Sequence, residues 1–207
     1  DLLNGNPVDL ADVILSEINA DPGLALNNST GEVDVAAGTT AGDYELIYEI
    51  CEILNPSNCD QAIVFVTVTE PDIIANNDSG IPVNGIEGGV SVPNVLVNDL
   101  LNGELVNSAE ITLTQTFTDH PGITLNTSNG QVSVAPGTPV GPHNLVYKIC
   151  EILNPGNCDQ AVVTVLVQSP EITANDDYGV PVYGFEGGQA VNNVLDKTHW
   201  VGGYDYI

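Results

Sequence analysis

Four cysteines fall as two pairs with one spacing, Cys51/Cys59 and Cys150/Cys158. Sulfur at that spacing can form a disulfide, remain as reduced thiols or bind zinc. Structural zinc sites draw their ligands from closer pairs, so C-x7-C favours the disulfide. Cys51–Cys59 brackets the turn Asn55-Pro56-Ser57-Asn58, and hairpin symmetry about Asn55 sets the two cysteines opposite each other on the outer face. Closing so short a loop is worth about 2.5 kcal/mol on the chain-entropy model. Paired cysteines of this kind suggest an oxidising, extracellular setting. A second chemistry lies in hard oxygen donors. Asp72, Asn76, Asp78, Glu87 and Asp99 recur in kind as Asn175, Asp176, Asp177 and Glu186, with Glu70, Asn98, Glu171 and Asp196 nearby. Calcium takes six to eight such oxygens from flexible backbone, and these residues form the candidate Ca²⁺ set. The competing reading is a polar turn, since Asn-Asp runs turn without metal and no EF-hand spacing is present.

The elements that position these groups occur twice. Residues 51–62 read CEILNPSNCDQA and residues 150–161 read CEILNPGNCDQA, an offset of 99 from Cys51 to Cys150. Ala75-Asn76-Asn77-Asp78 recurs as Ala174-Asn175-Asp176-Asp177, and Glu87-Gly88-Gly89 as Glu186-Gly187-Gly188. Asp1–Gly5 recurs as Asp99–Gly103 at an offset of 98, which places one inserted residue between Gly103 and Pro121, expected near Thr116.

Strand signals dominate each copy. Tyr44, Leu46, Tyr48 and Ile50 alternate onto one face, matched by His143, Leu145, Tyr147 and Ile149. Ala62, Val64, Val66 and Val68 are repeated unchanged as Ala161, Val163, Val165 and Val167, whereas Ile63, Phe65 and Thr67 become Val162, Thr164 and Leu166. The unchanged face is the expected core and the variable face the outer one. Further strands are expected at 12–19, 24–27 and 32–35 and at 111–118, 123–126 and 131–134, with Asn129-Gly130 suited to a primed hairpin turn. About seven short strands per copy predict an all-β fold of tandem immunoglobulin-like, cadherin-like β-sandwich modules. Trp200 and the cysteines do not reproduce the antibody Cys–Trp–Cys arrangement, so only the architecture is implied. The expected divisions are 1–70, a module lacking its first strands; 71–170, a complete module; and 171–207, the first strands of a third with a divergent tail from residue 196.

Lys and Arg total 2 against 28 Asp and Glu, for a formal charge of −26. That balance argues against nucleic acid and anionic membranes, which need basic groups, and no apolar run reaches the roughly 20 residues of a spanning helix. It fits a chain that takes divalent cations or one with a solvated surface adapted to salt. With no leader and no initial Met, the expectation is a mature product or an excised fragment.

An enzyme is not expected. His120 is aligned with Asp21 in a loop, His143 replaces Tyr44, and neither recurs in the other copy. No nucleophile elbow or phosphate-binding glycine loop is present. At 5% aromatic residues the chain is poor in sugar platforms.

The string Y-x-I-C-E-x-L-N-P-x-N-C-D-x-A-x-V-x-V-x-V, followed by A-N-[ND]-D and V-L-x-N-D, resembles the tandem repeats of SprB-type surface adhesins of gliding Bacteroidetes. The second portion alone resembles bacterial cadherin-like repeats. Together these cover nearly all of residues 1–195. The resemblance implies type IX export, display outside the outer membrane, and a role in adhesion or surface motility. The expected function is a non-catalytic extracellular stalk whose partners are neighbouring repeats or copies of itself. The alternatives are a module holding a glycan or ice, or a subunit whose C-terminal piece completes the N-terminal sandwich of the next copy. For ice, Thr112, Thr114, Thr116 and Thr118 alternate, but the first copy lacks that row.

Overall fold

A computed structural model describes residues 1–195; the divergent tail 196–207, with Asp196 and Trp200, lies outside the described residues. The chain divides into a unit Asp1–Ser169, which holds both copies of the hairpin, and a unit beginning at Pro170. The described fold is an all-β immunoglobulin-like sandwich, and no described helix is long and apolar enough to cross a membrane.

The second copy is a closed sandwich. One sheet runs Val83–Asn84, Cys158–Gln168, Gly141–Glu151, Ile111–Thr118, with Asp78–Ser79 also on Cys158–Gln168. The facing sheet runs Gly89–Val92, Gln131–Val134, Ile123–Asn126. The strands Asp78–Ser79 and Val83–Asn84 pair in parallel with Cys158–Gln168, and the other pairings of both sheets are antiparallel. Between the sheets lie Leu145, Tyr147, Ile149, Val163, Val165 and Val167, all fully buried. Burial of each aliphatic side chain among them contributes roughly 1.5–3 kcal/mol. The alternation that placed them inward also placed Val162 and Leu166 outward, where they are exposed.

The first copy has Val13–Ala20, Gly42–Glu52 and Cys59–Val68 in one sheet and Leu24–Asn27 with Glu32–Val35 in the other. No described strand stands where Asp78–Ser79, Val83–Asn84 and Gly89–Val92 stand in the second copy. The face they would cover is correspondingly open. Val35 is 44% exposed and its counterpart Val134 is 3% exposed. Val64, Val66 and Val68 are only half-buried.

Two local expectations are corrected. The inserted residue is His120, not one near Thr116. Both copies carry the same bulge, after Glu17 and after Gln115. Asp21 and Asp119 then play one role, each accepting from the backbone N–H of the paired strand (Glu45 and Asn144) at 2.8 Å. His120, with no counterpart, widens the loop that follows. The turn at Asn129-Gly130 is not a primed two-residue turn. It is a four-residue loop closed by Gly130 N–H to the Asn126 carbonyl at 2.8 Å, in which Gly130 alone has positive φ, at 73°. A primed type I′ turn needs positive φ at both central residues.

In the second unit, residues 172–195 were expected to form first strands of a module; none of them is in a strand. Their large apolar side chains, Ile172, Tyr178, Val182, Phe185 and Val194 among them, are exposed. A strand of this kind needs a neighbouring edge to pair with.

Candidate functional site

Both cysteine pairs are disulfides. Cys51↔Cys59 and Cys150↔Cys158 are directly opposed in their hairpins, each with Cα atoms 4.1 Å apart. Oxidation removes the thiolates a metal would need, although Glu49 lies close to Cys51 and Cys59. Cys150 is buried rather than outward and exposed. The tip beyond it is tied down: the Glu151 carboxylate accepts from Asn154 Nδ2 (2.9 Å) and Asn157 Nδ2 (3.2 Å). Asn157 Nδ2 also donates to the Pro71 carbonyl at 2.8 Å, and Asn154 Oδ1 accepts from Ala41 N–H at 2.7 Å. The disulfide-bonded tip of the second copy thus grips the loop of the first copy between Glu32–Val35 and Gly42–Glu52.

The candidate oxygen donors do not all come together. Asn76, Asp78 and Asp99 converge at the Cys158 end of the Cys158–Gln168 strand. Asp99 is fully buried and accepts from Asn76 N–H at 2.7 Å. The Tyr147 hydroxyl lies 2.9 Å from both Asp99 carboxylate oxygens and 3.0 Å from the Asn76 carbonyl. Asn76 Nδ2 donates to the Asn98 carbonyl at 2.7 Å, and Asp159 accepts from Ala75 N–H at 2.8 Å. Asp72 and Glu87 are not part of this cluster. Asp72 is exposed and gives its backbone carbonyl to Asn102 N–H, 2.7 Å. Glu87 is exposed on the turn that follows Asn84, beyond the Gln168 end of the strand. Asn175, Asp176, Asp177 and Glu186 are exposed in the second unit.

Two oxygens in the cluster are buried and lack a hydrogen-bond partner, Asp78 Oδ2 and Asn98 Oδ1. Burial, and secondly the charge of Asp99, pushes the Asp78 carboxyl from 3.8 up to about 6. Burial also raises Asp99, and it raises the Tyr147 hydroxyl, with the Asp99 charge next in importance. Crowded, desolvated carboxylates with orphan oxygens hold a free-energy cost that a proton or a cation relieves. The donor set fits a hard divalent ion: Asp78, Asp99, Asn98 Oδ1 and the Asn76 carbonyl are all oxygens. Tyr147 and Asp159 were not among the sequence candidates. Alternation made Tyr147 a core residue, and only its pairing with an acid in both copies could have marked it: Tyr48 Oη donates to both Asp1 oxygens, at 2.9 and 2.8 Å.

His120 and His143 hold loops: Gly122 N–H donates to His120 Nδ1 at 3.0 Å. His143 Nε2 donates to the Pro139 carbonyl at 2.8 Å and Nδ1 faces Asp119 at 3.3 Å. Tyr44 does the same service in the first copy, reaching the Thr40 carbonyl at 2.8 Å. The hydroxyls of Thr112, Thr114 and Thr116 bond to carbonyls of the adjoining strand at 3.2–3.4 Å rather than standing free. A groove of about 490 Å³ between Asn94, Ile111 and Gly130 is lined by no charged or aromatic side chain.

No protein-family model and no curated protein matches this chain. Among solved structures it is similar to extracellular cadherin domains 3–6 of protocadherin gamma B2, at 13% identity and TM-score 0.39, over 76% of this chain and 44% of that one. It is similar to mouse cadherin-23 EC22–24 at 16% identity and TM-score 0.37, over 76% of this chain and 53% of that one. An endo-fucoidan hydrolase of glycoside hydrolase family 107 aligns at 10% identity and TM-score 0.34, over 77% of this chain and 24% of that one. The chain spans about half the length of the two cadherin structures.

Proposed function

We propose that this chain is a non-catalytic, extracellular stalk segment of a bacterial surface adhesin of the SprB type, serving adhesion or surface motility. The observation that carries the reading is the joint between the two copies. Residues 71–98 leave one sandwich and supply strands to the next, while the disulfide-bonded tip at Asn154 holds Ala41 of the first copy. Modules joined in this way extend reach by repetition, with stability set by each module and its neighbours. Calcium fits the same reading. Asp78, Asp99, Asn98 and the Asn76 carbonyl would hold the ion at the root of the joint, neutralising Asp78 and Asp99 and stiffening the segment between modules. The modular boundaries 1–70, 71–170 and 171–207 belong to this proposal.

Isothermal titration of the chelated protein with Ca²⁺, together with its melting temperature in Ca²⁺ and in EGTA, tests the ion. Heat of binding and a raised melting temperature, both lost in D78N/D99N, are expected; no heat and no shift would sink it. Single-molecule stretching tests the stalk. Unfolding of each disulfide-bonded hairpin region at high force is expected, and extension at negligible force would remove the load-carrying role.

A further inference from the structure

We infer that the outer sheet face of the first copy is a docking surface for a basic, apolar protein segment, with an arginine of that partner laid on Phe65 and paired with Glu45. The inference stands whether or not the chain serves as a stalk. Strands Gly42–Glu52 and Cys59–Val68 pair so that Asp43, Glu45, Ile47 and Glu49 lie opposite Thr67, Phe65, Ile63 and Gln61 on this face. The outer pairs satisfy each other: Thr67 Oγ1 donates to Asp43 at 2.7 Å, and Gln61 Nε2 donates to Glu49 at 2.9 Å. Glu45 and Phe65, between them, do not. A phenyl ring offers a carboxylate no hydrogen-bond donor. Among the described residues no other group donates to the Glu45 carboxylate; only its backbone N–H and carbonyl are bonded, both to Asp21. Phe65 is 72% exposed and Ile63 beside it 46% exposed.

The fold itself does not call for this pair. The second copy carries Asn144 opposite Thr164 in the same two places, and there Thr164 Oγ1 donates to Asn144 Oδ1 at 3.3 Å. Lys148 stands where the first copy has Glu49. One hairpin frame thus bears an acidic, apolar surface in the first copy and a self-satisfied polar one in the second. Neighbouring modules leave this face bare. Phe65 is exposed with a module following it, and Thr164 is exposed with a module preceding it.

Large apolar side chains grouped with polar neighbours mark a binding surface. The charge names the chemistry of the partner. Residues 1–70 contain no Lys, Arg or His, so Glu45 has no cation of its own module to pair with. A carboxylate beside an aromatic face suits a guanidinium, which stacks on the ring and donates in its plane to the carboxylate. Ile47 and Ile63, the next pair along, take an aliphatic side chain two residues further on in an extended partner. A second copy of this chain is disfavoured as the occupant, because a formal charge of −26 repels its like.

The probe is an end-blocked synthetic peptide, Gly-Arg-Thr-Ile-Thr-Arg-Gly, titrated into the isotope-labelled full chain and followed by amide NMR shifts. The titration is run at about 0.15 M salt, where distant charges are screened. Saturable shifts confined to the amides around Glu45, Ile47, Ile63 and Phe65 are expected, with none from a peptide carrying Glu for Arg. F65T/E45N installs the pair that the second copy carries, at exposed positions, and should leave the rest of the spectrum unchanged. It should weaken binding about tenfold, the sum of an exposed cation–π contact and a surface ion pair. F65L keeps apolar bulk without the ring and should weaken binding about threefold. Shifts scattered over the whole acidic surface, equal binding of a peptide with Gly for Ile, unchanged binding to F65T/E45N, or no binding at millimolar peptide overturns the inference. Concentration-dependent broadening of the same amides without peptide assigns the face to a second copy and overturns it too.

Discussion

Tyr147 and Tyr48 occupy one position in two copies of the same hairpin and hydrogen-bond to equivalent acids, Asp99 and Asp1. Tyr147 is fully buried and Tyr48 half-buried. Ile149 and Ile50, Val163 and Val64, and Val134 and Val35 differ in the same direction. Side-chain chemistry, hairpin register and disulfide are shared, so none of them accounts for the difference. What differs is the segment 73–98, which covers one sandwich and has no described equivalent on the other. A module's core here is completed by residues that precede its own first long strand.

The comparison can be broken at several points. Ile149→Ala should cost about 3–4 kcal/mol, the range for a fully buried aliphatic, while Ile50→Ala should cost about 1 kcal/mol. Denaturant melts followed by hydrogen exchange on the two hairpins read this, and equal costs would mean that the first copy is as closed as the second. Removing either disulfide, as C51S/C59S or C150S/C158S, should cost about 2.5 kcal/mol in both modules, because the loop lengths are the same. A much larger loss for Cys150/Cys158 would show that the Asn154 latch depends on it. Tyr147→Phe leaves buried Asp99 without its hydroxyl donor and should cost about 2 kcal/mol, against about 0.5 kcal/mol for Tyr48→Phe.

The pH response should be smaller and confined to the second copy. Asp78 has its folded-state value raised from 3.8 to about 6. Its contribution is therefore fully present below 3.8 and is lost as pH rises through about 6. In EGTA the exchange protection of strand Cys158–Gln168 should increase as pH falls from 7 toward 5, with strand Cys59–Val68 unaffected. In saturating Ca²⁺ the trend should reverse, since protons compete with the ion. A falling protection at acid pH in EGTA would contradict the burial of Asp78.

Much was legible in the chain because it contains its own comparison. The repeat of Ala62, Val64, Val66 and Val68 beside a changing opposite face marked the inward side, since a core tolerates less change than a surface. Cysteines symmetric about a turn marked the disulfide. The acids were harder. Asp72, Asp78, Glu87 and Asp99 look alike along the sequence, yet Asp78 and Asp99 meet and Glu87 sits past the far end of the strand.

Period-two alternation, turn residues and cysteine spacing are local, and they determined the strands, the hairpins and the disulfides from sequence alone. Tertiary structure decided the rest: which of two identical valine rows is dry, that Tyr147 belongs with the acids, that His120 is the inserted residue, and that residues 172–195 form no strand. Each of these depends on a partner distant in the chain. A strand edge or a desolvated carboxylate acquires its energy from what is packed against it, and that neighbour is not written beside it in the sequence.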